Sequence, residues 1–176
     1  MSFFKEELKN VKAFVFDVDG VLSKDTSPLN EKGDPVRTAN VKDGFAIRTA
    51  ISQGFPVAVI TGGFVDRVRL RHEHLGVNYY YENAWDKVES LEDFCRKTGI
   101  DAKNVLFMGD DLVDYHVMQK VGIPVCPHDA VADIKSISKY ISHKNGGEGC
   151  VRDIIEQTLR AQGKWLIDQT TIKNVF

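Results

Sequence analysis

Short apolar runs alternate along this chain with longer segments whose apolar positions recur every three or four residues. Val11–Phe16, Pro56–Ile60, Val77–Tyr81, Asn104–Met108 and Ile123–Cys126 are short and rich in branched or aromatic side chains. They predict five buried strands. Between them, Asp43–Gln53, Val65–Leu75, Trp85–Thr98 and Leu112–Val121 predict amphipathic helices. Gly54, Gly76, Gly99 and Gly122 stand where each helix should stop. A final helix is predicted over Val151–Ala161. Strands alternating with helices predict an α/β fold, a Rossmann-like three-layer sandwich with a mostly parallel sheet.

Two segments break the rhythm. Ser23–Asn40 carries Asp25, Pro28, Asn30, Gly33, Asp34 and Pro35, all turn formers. It is too long for a simple strand-to-helix loop and predicts a β-hairpin flap turning near Asn30–Asp34. Asn145–Gly149 is glycine-rich and leads into the last helix. Beyond about residue 163 runs a tail containing Trp165, Leu166, Ile167, Ile172, Val175 and Phe176. So apolar a tail is expected to dock, with a neighbouring subunit as the candidate partner.

The chain has 176 residues, which suits one domain spanning 1–176. Its 25 acidic and 23 basic side chains leave a formal charge of -2 with no long run of either sign. Nothing in that balance favours a nucleic-acid or membrane partner. Three scattered cysteines, Cys95, Cys126 and Cys150, form no CxxC pair and argue against a disulfide framework. A reducing cytoplasm is the expected compartment. The first residues carry acids where a signal peptide would have an apolar core.

The chemistry collects at the predicted strand ends. The first strand runs into Asp17-Val18-Asp19-Gly20, the second into Thr61-Gly62-Gly63. Asp86-Lys87 lies near the third, and Gly109-Asp110-Asp111-Leu112-Val113-Asp114 follows the fourth. A parallel sheet brings all four to one edge, where open α/β sheets bind ligands. The set suits a phosphoryl group held with a hard cation. Carboxylates are ligands for Mg²⁺, Thr61 and glycine-flanked amides can donate to phosphate oxygens, Lys87 is a point cation, and an aspartate can attack phosphorus. Taken singly, each residue has a plainer reading. Thr61, Asp110 and Asp111 could cap helices, and Lys87 could be a solvated helix residue. The weight comes from the four together. Helical spacing keeps Arg67, Arg69 and Arg71 from sharing one face, and Arg71 is the best candidate for the site.

The four motifs, in this order, resemble the haloacid dehalogenase superfamily of phosphohydrolases. The resemblance implies that Asp17 is the nucleophile and forms a phosphoaspartate. It implies that Asp19 is the acid that protonates the leaving alcohol and then the base that activates water. Mg²⁺ would be held by Asp17, the main-chain carbonyl of Asp19, and Asp110. Thr61 and Lys87 would hold the phosphoryl group, with Asp111 and Asp114 behind them, orienting the metal's water ligands and Lys87. Asn40-Val41-Lys42-Asp43-Gly44, Gly146–Gly149 and Leu159–Lys164 further resemble a branch without a cap domain that acts on phosphorylated 3-deoxy-ulosonic acids in lipopolysaccharide precursor synthesis. That branch implies a homotetramer and a small sugar-acid phosphate as substrate, eight-carbon first and nine-carbon second. It implies substrate contacts at Asp19, Lys87, Asn40, Val41, Lys42, Asp43, Gly44, Gly62, Gly63 and Arg71. Many relatives carry a polar or charged side chain where this chain has Gly63, and arginine where it has Glu148. A phosphoacceptor switch like a receiver domain is the alternative from another class. Asp19 disfavours it, because an acid two residues after the nucleophile speeds hydrolysis of the phosphoaspartate.

Overall fold

A computed structural model describes residues 3–165. The expected tail beyond Trp165 lies outside the described residues. Six strands form one sheet: β1 (Ala13–Phe16), β2 (Val57–Ile60), β3 (Tyr79–Tyr81), β4 (Val105–Met108), β5 (Ile123–Cys126) and β6 (Tyr140–Ile141). Their order is β3-β2-β1-β4-β5-β6, and every pairing is parallel. β1 and β4 are buried on both faces, so their sequences, AFVF and VLFM, are apolar throughout.

Alternate residues of β1 supply two cores. Phe14 and Phe16 join Ile47, Ile154 and Leu159, whereas Ala13 and Val15 join Leu91 and Phe94. The helices α1 (Phe4–Glu7), α2 (Val41–Ser52), α3 (Asp66–His74) and α7 (Cys150–Ala161) cover the first face. The opposite face is covered by α4 (Lys87–Thr98), α5 (Tyr115–Met118) and α6 (Ala132–Ile137). This is the expected three-layer sandwich, with a sheet that is wholly rather than mostly parallel.

The chain winds outward from β1 to β3, then returns to place β4 on the other side of β1. The order therefore reverses between β1 and β4, and the crevice beyond their carboxyl ends is the ligand-binding position of such sheets. Asp17 follows β1 there, and Asp110 follows β4.

Several expectations shift locally. The helix predicted over Leu112–Val121 is a 3₁₀ turn, Leu112–Asp114, followed by the single α turn of α5. Trp85 stands outside α4, whose N-cap is Asp86; its side chain accepts from Val88 N and Glu89 N. The flap carries one antiparallel bridge, Leu29–Pro35, rather than two strands. Its tip is tied by the Asn30 side chain, which accepts from Lys32 N and Asp34 N at 2.9 Å each. Its base is tied by Ser23 Oγ, which accepts from Thr38 N at 2.8 Å.

Candidate active site

β1 presents its first acid through a continued ladder. Asp17 N donates to the Met108 carbonyl at 3.2 Å, so its backbone still belongs to the sheet. The residue is 4% exposed and its Oδ1 accepts from Val18 N at 2.6 Å. The chain then turns at Gly20, whose φ is +79°. A Cβ on Gly20 would lie 1.9 Å from Asp110 Oδ2, so glycine is required both by the backbone and by the carboxylate seated against it.

β2 delivers Thr61, 4% exposed, whose Oγ1 accepts from Gly63 N at 3.2 Å. Ala84 N and Asn83 N bond back to the carbonyls of Thr61 and Gly63. Asn83 has a φ of 52°, the one positive value outside glycine among the described residues. These bonds dock the start of α4 beside the Thr61 loop and bring Lys87 inward.

Lys87 is the centre of the cluster. Its Nζ lies 2.9 Å from Asp17 Oδ2 and 2.6 Å from Asp114 Oδ1, with all three side chains at most 6% exposed. Asp114 Oδ2 accepts from Asp110 N at 3.0 Å, which fixes the turn after β4. Gly109 makes room for this, since a Cβ there would lie 2.5 Å from the Asp114 side chain. Asp111 is exposed at the rim and caps the 3₁₀ turn through Leu112 N at 2.7 Å.

Carboxylate oxygens of Asp17, Asp110 and Asp114 come within 4.8 Å of one another. Three carboxylates against one ammonium leave two negative charges in a buried place. Burial raises Asp17 well above the usual carboxylate range, with Asp114 adding to the rise and Lys87 opposing it. Burial, then Asp114 and Asp111, push Asp110 up to about 7. A divalent cation would relieve that excess, and an all-oxygen donor set suits Mg²⁺. Asp114 is fully buried and does not line the cleft, whereas Asp17 and Asp110 do. Asp17 and Asp110 are therefore the side chains best placed to hold the ion.

These groups line an open cleft of about 640 Å³ together with Asp19, Gly62 and Gly63. Trp85, 89% exposed, and Leu112 and Val113 form an apolar rim. A smaller cavity of about 120 Å³ adjoins it across Val18 and is lined by Asn40, Asp43, Gly44, Arg67 and Arg71. Asn40 caps α2, accepting from Lys42 N and Asp43 N. Asp43 is buried and accepts from Arg152 N at 2.7 Å. Arg71 packs over Gly44, where a Cβ would lie 2.7 Å from Nη2. Arg67 joins it at the i, i+4 spacing, whereas Arg69 pairs with Glu73 and Glu82. Val41 and Lys42 are exposed on the first turn of α2, and neither lines the cavity their neighbours line. Glu148 pairs with Lys24 at 2.9 Å, tying the glycine-rich segment to the base of the flap.

Sequence reasoning missed Arg37. It reaches Asp19 with two nitrogens, Nε to Oδ1 at 2.9 Å and Nη2 to Oδ2 at 3.0 Å. The available signal was a single cation between the turn of the flap and Asn40, on a segment whose direction the sequence does not fix.

Comparison with known proteins agrees with this geometry. Residues 73–154 match the model of a haloacid dehalogenase-like hydrolase family. The 3-deoxy-D-manno-octulosonate 8-phosphate phosphatase of Escherichia coli K12 is 36% identical over 156 residues, covering 89% of this chain and 83% of that one. The chain belongs to the haloacid dehalogenase-like hydrolases. Solved members of this family carry the same fold. The Yersinia pestis octulosonate phosphatase superposes with a TM-score of 0.87 at 31% identity, covering 91% of this chain and 86% of that one. The Moraxella catarrhalis enzyme, crystallised with a magnesium ion, a phosphate ion and a KDO molecule, has a TM-score of 0.85 at 30% identity. It covers 90% of this chain and 91% of its own.

Proposed function

We propose that this chain is a Mg²⁺-dependent phosphatase that hydrolyses 3-deoxy-D-manno-octulosonate 8-phosphate to the free sugar acid and phosphate. The observation that carries the reading is Lys87 held between Asp17 and Asp114, with two negative charges left over beside Thr61. A cation bound by Asp17 and Asp110 would neutralise charge on the phosphoryl oxygens. Lys87 and Thr61 donate to those oxygens. A carboxylate oxygen of Asp17 attacks phosphorus, the bond to the sugar oxygen breaks, and Asp19 gives that oxygen its proton. Asp19, now a carboxylate, takes a proton from water; the hydroxide attacks phosphorus and the bond to Asp17 breaks. Phosphoryl transfer asks mainly for this positioning and charge neutralisation.

The octulosonate relatives and the arginines of the smaller cavity support a sugar acid as substrate, since arginine binds a carboxylate with two parallel bonds. Glu148 stands where arginine is frequent, which favours the nine-carbon 9-phosphate as the second reading. The reading includes a homotetramer whose neighbours close a cleft that has no cap domain, one domain over 1–176, and a cytoplasmic setting. Among the described residues no helix is long and apolar enough to cross a membrane. The test is phosphate release from both sugar-acid phosphates and several neutral hexose phosphates. A preference for a neutral sugar overturns the substrate class and leaves the phosphatase chemistry standing.

A further inference from the structure

The flap sends one side chain into the site. Arg37 is 14% exposed, and its planar fork occupies both oxygens of the Asp19 carboxylate. Its Nη1 donates to the Pro35 carbonyl at 3.3 Å, which holds the fork to its own loop. Paired bonds between arginine and carboxylate are among the stronger polar contacts a protein makes.

This pairing conflicts with the work of Asp19. An acid that protonates a departing sugar oxygen has to bring one of its own oxygens within hydrogen-bond reach of it. With Arg37 on both, the pair must open during turnover. Two further observations say where the guanidinium can go. A Cβ on Gly63 would lie 3.1 Å from Arg37 Nη2 and 3.8 Å from Asp19 Oδ2, so the fork fills room that a side chain at 63 would take. Arg37 also lines the smaller cavity beside Arg67 and Arg71. It stands at the join between the acid cleft and the arginine-lined cavity, next to both.

We infer that Arg37 is a latch on Asp19, released when a substrate carboxylate in the neighbouring cavity takes the guanidinium in exchange. The inference rests on the sugar-acid reading above. One carboxylate replaces another, so Arg37 stays paired throughout and no buried charge is left bare. No proton is gained or lost at Arg37. Asp19, a carboxylate while Arg37 holds it, takes a proton from solvent on release and gives it to the leaving oxygen, and Arg37 acts on the chemistry only by positioning Asp19. A phosphate ester without a carboxylate meets Asp19 still engaged. Selectivity then enters through turnover as well as through binding.

The test compares wild type, Arg37→Ala and Arg37→Lys with Mg²⁺ on two substrates, the octulosonate 8-phosphate and glucose 6-phosphate. Both have alkoxide leaving groups that need a proton, and only the first has a carboxylate. Arg37→Ala should raise kcat on glucose 6-phosphate roughly two- to fivefold, the scale of a partly exposed ion pair. It should lower kcat/KM on the sugar acid by about 10–100-fold, mainly through KM. Arg37→Lys keeps the charge without the fork and should fall between on both substrates. An Arg37 that merely shaped the flap would lower both activities together. Unchanged or reduced kcat on glucose 6-phosphate in both variants overturns the latch. A rise there with no fall on the sugar acid overturns the exchange. Failure of the substrate reading is seen separately, as a wild type that does not prefer the sugar acid.

Discussion

Lys87 is sealed between Asp17 and Asp114, whereas Arg37, across the same cleft, reaches Asp19 from an exposed loop. Both are cations paired with acids, and their settings differ. The first cluster hangs from β1, β4 and the start of α4, with side chains at most 6% exposed. Removing Lys87 there would leave buried carboxylates without a cation, a loss of about 3–5 kcal/mol. On the other bank the Asp19 side chain is 48% exposed, and the flap beneath Arg37 is tied to itself by bonds such as Thr38 N to Ser23 Oγ and Lys32 N to Asn30 Oδ1. On the proposed reading, the sheet carries the part of the reaction common to any phosphate ester, and the loops carry the part that depends on the rest of the substrate.

This division can be broken most sharply on the sheet side. Asp17→Asn should bring turnover to background while the melting temperature holds, because the attacking charge goes and the shape stays. Chelation should do the same to wild type, and readdition of Mg²⁺ should restore it. Full turnover in excess chelator, in protein shown to be metal-free, would undo the cation assignment. Asp19→Asn should be milder, a fall of about 10²–10⁴-fold, the usual scale for losing an acid and base. Rapid quench should then catch phosphorylated protein, since attack by water is slowed as well.

The loop side should respond in binding. Arg71→Ala should raise KM for the sugar acid by about 10–100-fold and leave an aryl phosphate nearly unchanged. Equal losses on both substrates would move Arg71 from selectivity to catalysis.

The smallest effect on turnover is expected behind that cavity, where the change is in stability. Burial, with Arg71 adding, lowers His72 to about 4, while the Val68 carbonyl at 2.8 Å opposes the drop. An unfolded histidine titrates near 6.5. The contribution of neutral His72 is therefore complete above about 6.5 and is lost as pH falls through about 4, on the order of 3 kcal/mol. Asp43 has the opposite sign. Burial, opposed by the Arg152 amide, raises it to about 6, so its contribution is complete below about 4 and is lost as pH rises through 6. The two slopes offset each other in wild type. In His72→Gln the slope from Asp43 should emerge, and the melting temperature should climb as pH falls from 6.5 to 4. A melting curve that tracks wild type across that range would remove His72 from the account.

Much of the sheet bank could be read from the chain. AFVF before DVDG and VLFM before GDD are continuous apolar runs ending in acids, a pattern that fixes strand, burial and strand end together. The loop bank could not be read in the same way. Arg37 lies among turn formers with no periodicity to aim it, and its partner is 18 residues away. Arg67 shares the cavity with Arg71, yet spacing alone could not say which arginines face inward. The α6–β6 unit escaped because six and two residues are shorter than any window in which a period is visible. The helix after GDD was overextended because Leu112, Val113 and Val117 satisfy a helical pattern. Asp114 is drawn under Gly109 toward Lys87, and the first turn tightens to 3₁₀.

Gly146 has no room for a Cβ because the Gly20 carbonyl would lie 1.9 Å from it, and Gly147 N donates to the Val21 carbonyl at 2.8 Å. The turn that carries Asp17 and Asp19 is thus stitched shut by a segment that is 130 positions after Asp17 in the chain. On the ribosome Asp17 is made well before the segment that encloses it. At about 5–20 residues per second, Asp17 is out roughly 10 s before the stitch can form. A nascent chain halted before residue 145 carries every motif of the acid cluster and still lacks the closed turn around it. Arrested chains of increasing length should therefore gain phosphatase activity in one late step rather than in proportion to their motifs.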